Sequence, residues 1–162
     1  MRNLKLYLET SVWNFYYADD APEKKEVTRN FFENLPVTKY EIYASVTVLD
    51  EFEKASPKKK AMLTEMITTY SPTILTAEPA VADLAREYLE HKALPTTAEV
   101  DAYHIAFASA NELDFIVSWN LRHIANVRRQ EKVQAVNLLN GYTKAIQMIT
   151  PMEVSDREQT ED

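Results

Sequence analysis

Hydrophobic positions follow two alternating patterns along this chain. Short apolar runs bounded by polar residues mark buried strands: LKLYL (Leu4 to Leu8), EIYASV (Glu41 to Val46), the weaker TILTA (Thr73 to Ala77), DFIVSW (Asp114 to Trp119) and IQMIT (Ile146 to Thr150). Between them the apolar residues fall on helical faces. SVWNFYYA starts a helix with Thr10 or Ser11 as its cap, and Pro22 to Leu35 puts Val27, Phe31 and Leu35 on one side behind a first-turn proline. A helix beginning near Thr47 carries Leu49, Asp50, Glu51 and Phe52, and SPKKK opens another. Glu78 to Lys92 and Ala98 to Asn111 are amphipathic helices joined by the turn LPTT, and Asn120 to Leu139 is mostly helical until Asn140 and Gly141 stop it. The end SDREQTED is polar throughout, so one domain is expected over residues 1–154 with a disordered tail over 155–162.

Strands that alternate with helices require crossover connections. They predict an α/β fold with a mainly parallel sheet covered by helices on both faces. In open sheets of this kind ligands bind beyond the carboxyl ends of the strands, where strand order reverses. Three polar residues fall at such ends: Glu9 after the first strand, Glu51 a few residues beyond the second, and Asn120 directly after DFIVSW. Asp101, early in the preceding helix, meets them if the first and fourth strands are neighbours.

Composition narrows the chemistry. The 162 residues include no cysteine, one glycine and three histidines, which excludes thiol catalysis, zinc–thiolate sites and glycine-rich phosphate loops. A net charge of −7 argues against coating nucleic acid by bulk electrostatics, but leaves room for an enzyme that acts on it. With no long apolar run and no leader pattern, a soluble, cytoplasmic protein is expected.

Two or three carboxylates with an amide form an oxygen-only site suited to Mg²⁺ or Mn²⁺. Carboxylates about 4 Å apart repel by roughly 4 kcal/mol at an effective dielectric near 20, so such a cluster calls for a cation. The corresponding reaction is hydrolysis of a phosphodiester. Each acid also has a plainer account as a helix cap or solvated turn residue. His104, one turn after Asp101, and His123, three residues after Asn120, are candidates to support the site from behind.

The stretches KLYLETSV, ASVTVLDEF, EVDAYHIAFASANELDFIVSWNLRHI, VNLLNGY and MITPMEV together resemble the PIN-domain family, and within it the toxin ribonucleases of the VapBC toxin–antitoxin type. The likeness runs from about Leu4 to Val154. Its most specific part is D-A-x-H-I-A on a helix followed by a strand ending S-W-N-x-x-H-I. The resemblance implies a three-layer α/β/α sandwich of about five strands and a metal-dependent endoribonuclease acting on RNA. It also implies an antitoxin partner laid over the acidic groove, and a homodimer. It makes Glu9, Glu51, Asp101 and Asn120 the catalytic positions, Glu9 and Asp101 the metal ligands, and Ser11 a hydroxyl that steadies the acids. Two departures stand out: Glu9 replaces the family's aspartate, and Asn120 replaces a fourth acid. They leave open a second expectation, a PIN fold that binds protein or RNA without cleaving it.

Overall fold

Each expected strand forms, shortened at its ends. The computed structural model describes residues 2–120 and 126–161. Strands β1 (Lys5–Leu8), β2 (Glu41–Ser45), β3 (Thr73–Leu75), β4 (Phe115–Val117) and β5 (Gln147–Ile149) make one parallel sheet in the order β3-β2-β1-β4-β5. The central strand is β1, whose Leu6, Tyr7 and Leu8 are all buried, because neighbours on both sides and helices on both faces leave it no solvated side. In register, Leu8 stands opposite Val117 of β4, and Tyr7 lies between Tyr43 of β2 and Ile116 of β4.

The helices are α1 (Thr10–Phe15), α2 (Pro22–Asn34), α3 (Val46–Phe52), α4 (Pro57–Tyr70), α5 (Pro79–Glu90), α6 (Glu99–Ala110), α7 (Val127–Leu139) and α8 (Pro151–Glu161). The strand order and the right-handed rule for parallel crossovers sort them into two layers. From β1 to β3 the chain steps one way across the sheet, and from β3 to β5 it steps back. The layers are therefore α1 to α4 on one face and α5 to α7 on the other, with α8 returning against α2. This is the α/β/α sandwich expected from the alternation.

Helix α6 lies deepest. Ala102, Ile105, Ala106, Phe107 and Ala108 are buried with His104 and Ser109, and its small residues allow α5 to pack closely against it. On the other face Trp13 and Phe32 are fully enclosed with ring centroids 5.0 Å apart, so the aromatics of α1 and α2 build core.

The segment expected to be mostly helical from Asn120 to Leu139 holds α7 from Val127, where the Asn126 side chain accepts from the Arg129 N–H, and its residues 121–125 lie outside the described residues. Two local expectations differ from the structure. The cap of α1 is Glu9, not Thr10 or Ser11. The segment expected as a tail from 155 is helical to Glu161, as the end of α8. Thr150 and Glu153 form a reciprocal capping box at the start of that helix, and Val154 anchors it in the core. After α7, Gly141 takes φ +87°, the left-handed conformation that lets the chain turn away where the stop was expected.

Candidate active site

The carboxyl rim of the sheet is where strand order reverses, since β2 and β4 flank β1 on opposite sides. The ladder runs into this rim: the Glu9 N–H donates to the Val117 carbonyl at 3.1 Å, and the Ser118 N–H donates to the Ile149 carbonyl at 2.9 Å. Residues more than a hundred positions apart are thereby set side by side.

Glu9 is 6% exposed. Its extended backbone ends β1, and its side chain curls forward so that Oε1 accepts from the Ser11 N–H at 2.9 Å and the Ser118 hydroxyl at 3.0 Å. The extra methylene of glutamate is taken up by this curl. Neither hydroxyl beside it caps α1, because both are engaged elsewhere. Ser11 Oγ accepts from the Trp119 N–H at 2.9 Å, and Thr10 donates its hydroxyl to Glu51.

Glu51 projects from α3, just past the end of β2. Its Oε1 accepts from the Thr10 hydroxyl at 2.5 Å and meets His104 Nε2 at 2.7 Å. Asp50, the alternative acid beside it, is exposed and lies on another side of the helix. Glu9 and Glu51 thus share a pattern: each has Oε1 pinned by two donors, and among the described residues no hydrogen bond reaches either Oε2.

Asp101 stands in the first turn of α6. The Asn120 amide donates to its Oδ1 at 3.5 Å, and the Asn120 N–H donates to Ser118 Oγ at 2.9 Å. Contacts therefore run from Glu9 through Ser118 and Asn120 to Asp101, while Glu51 joins the rim through Thr10, the neighbour of Glu9. All four expected residues lie at this rim. His123 lies outside the described residues.

Behind the rim, His104 is 1% exposed. Its Nδ1 meets the Tyr7 hydroxyl at 2.6 Å, and that hydroxyl meets Ser45 Oγ at 2.8 Å, which in turn accepts from the Val48 N–H to cap α3. The Glu51 carboxyl is held below the usual range: burial is the largest influence and opposes ionisation, but the hydrogen bonds from His104 and Thr10, with the electrostatic pull of His104 and Lys54, outweigh it. Tyr7 is pushed well above the usual phenol range, chiefly by burial and further by the charges of Glu9 and Glu51, so its hydroxyl keeps its proton.

A hard divalent cation suits this donor set, in which every rim ligand would be a carboxylate or amide oxygen. Among the described residues no group of three or more His, Asp or Glu side chains is placed to hold a metal ion, so an ion at this rim would have to be bound by fewer protein ligands.

Ser118, Tyr7 and Ser45 escaped the sequence reading, and Thr10 entered it only as a cap of α1. Ser118 was readable in principle as a hydroxyl two residues before Asn120. Tyr7 was not, because a buried tyrosine in an apolar run looks like core. The Glu9 contact made by Ser11 comes from its backbone N–H, while the hydroxyl that steadies the acid belongs to Ser118.

No protein-family model matches the chain, and no curated protein matches it in sequence. Among solved structures, a chain in the crystal structure of VapBC2 from Rickettsia felis bound to a DNA fragment from their promoter aligns with a TM-score of 0.54 at 19% identity, covering 74% of this chain and 90% of that one. At that identity the likeness is one of fold, and what the two chains share is the PIN-like α/β/α sandwich.

Proposed function

We propose that this protein is a Mg²⁺- or Mn²⁺-dependent endoribonuclease, the toxin of a toxin–antitoxin pair. What supports the proposal is that Glu9, Glu51, Asp101 and Asn120 all stand at the reversal rim of the sheet, with Oε1 of Glu9 and of Glu51 each held by two donors. Glu9 and Asp101 would hold the ion. A bound divalent cation supplies charge neutralisation at the phosphate and a more acidic water. Glu51, ionised at neutral pH, orients the attacking water and takes its proton, and Asn120 positions that water or the phosphate.

The decisive experiment incubates purified protein with RNA and with DNA of the same sequence. Cleavage of RNA is expected with Mg²⁺ or Mn²⁺, none with EDTA, and none from Asp101→Asn. Cleavage that survives EDTA or that substitution would overturn the assignment, and preference for DNA would replace RNA as the substrate.

By the likeness to a chain of the VapBC2 complex, we extend the proposal to a small antitoxin partner, and by the resemblance of its sequence motifs to PIN-domain toxins, to a homodimer. Co-purification of a small protein from the native host supports the first; a chain isolated alone counts against it.

A second reading rests on Glu9, whose carboxylate already serves as the cap of α1. In that reading the fold binds protein or RNA without cleaving. Glu9→Asp separates the two: a detuned site gains cleavage or metal affinity, and a scaffold gains neither.

A further inference from the structure

Helix α6 would pack most cheaply with an apolar residue at position 104, where the side chain is enclosed among core residues. Histidine there carries two polar nitrogens, each costing free energy unless satisfied. Both are satisfied. Because the Glu51 carboxylate only accepts, Nε2 carries a ring hydrogen on that side. With the ring neutral, a consistent line runs from the Ser45 hydroxyl to Tyr7, from Tyr7 to Nδ1, and from Nε2 to Glu51; with the ring charged, the same contacts run outward from His104 to Tyr7 and from Tyr7 to Ser45. The line begins at the end of β2, crosses the central strand and α6, and finishes at the rim.

We infer that His104 is a positioning residue, fixing from inside the core which oxygen of Glu51 faces the site, with Tyr7 and Ser45 locking the ring behind it. The inference rests on the reading of Glu51 as part of a phosphodiester-cleaving site. Glu51 stands at the protein surface, 28% exposed, on a side chain with three rotatable bonds. Thr10 and His104 both hold Oε1, so the carboxylate cannot swing and Oε2 keeps one direction. Thr10 supplies one pin from the surface. His104 supplies the other from a part of the molecule that cannot move without repacking α6.

The test uses the full chain and measures RNA cleavage in Mg²⁺. His104→Leu removes the donor while keeping an apolar side chain, and is expected to lower kcat 10- to 100-fold with KM within about twofold of wild type. His104→Gln, whose amide N–H can reach Oε1, is expected to recover most of that loss. A Leu variant as fast as wild type, or one whose kcat, KM and thermal stability fall together with no recovery by Gln, overturns the inference. Should the wild type cleave nothing, the nuclease reading fails first, and the geometry is then judged by nuclear magnetic resonance of the His104 ring nitrogens. Glu51→Gln should shift the Nε2 signal and Tyr7→Phe the Nδ1 signal; signals indifferent to both changes overturn the inference independently of activity.

Discussion

At the amino rim of the sheet Asp114, 8% exposed, is met by charge: the Arg2 guanidinium at 2.9 and 3.2 Å, the Lys144 ammonium at 2.9 Å, and the Lys5 N–H at 2.8 Å. At the carboxyl rim Glu9 and Glu51 are as firmly held, but by a backbone N–H, two hydroxyls and an imidazole. No Lys or Arg pairs with either among the described residues. The contrast separates two uses of a buried acid. Asp114 ties the starts of β1, β4 and β5 together, and its own chain neutralises it. Glu9 and Glu51 are fixed in direction chiefly by dipoles, with His104 and Lys54 adding an electrostatic pull on Glu51.

The largest expected effect breaks this contrast from the site side. Glu51→Gln keeps the size and the accepting oxygen but removes the charge, and should lower RNA cleavage about 10²-fold or more while costing less stability than the loss of Asp114, as compared by urea denaturation.

Asp114→Asn should do the reverse, leaving cleavage at the wild-type rate and lowering stability at pH 7 by about 2 kcal/mol. Burial would raise the Asp114 pKa, but the hydrogen bonds from Lys144, Lys5 and Arg2 lower it to about 2, against 3.8 for a free aspartate. A depressed folded pKa gives stability that is complete above the unfolded value and disappears as pH falls through the folded one. The two proteins should therefore differ fully above about pH 4 and converge as the pH falls towards 2. A difference that persists in acid would show that the cations are not what holds this rim.

The smallest effect sharpens the contrast on the neutral side. Ser118→Ala removes one of the two donors to Glu9 Oε1 and the acceptor of the Asn120 N–H, and should cost about 1 kcal/mol in thermal or urea unfolding. Cleavage should fall several-fold with it. A stability loss without any change in cleavage would place Ser118 in the cap of α1 alone.

Much of this rim was legible in the sequence, because parallel strands buried on both faces appear as apolar runs and polar residues at their ends are conspicuous. Glu9 and Asn120 stand out for that reason, and the alternation of strands and helices carried the sheet's parallel character. What could not be read was pairing. The Thr10 hydroxyl suits a cap in isolation, and only the approach of α3 turns it toward Glu51. Tyr7 reaches His104 across 97 positions of sequence, a relation fixed by strand register and by no local pattern. The start of α8 is a different case: Thr150-Pro-Met-Glu153 is a readable capping box, passed over because the residues after it are so polar.

The strand order has a consequence in time. Glu9 and Ser118 are 109 residues apart in the chain, and β1 acquires its β4 neighbour only after β2, β3 and the helices α1 to α6 have been made. At synthesis rates of about 5–20 residues per second, that interval lasts on the order of 5 to 20 s. A chain still emerging from the ribosome can present Glu9 and Glu51 but has neither Ser118 nor Asn120 to complete the rim. Whatever chemistry the rim performs is withheld from the machinery making it until most of the protein has been synthesised.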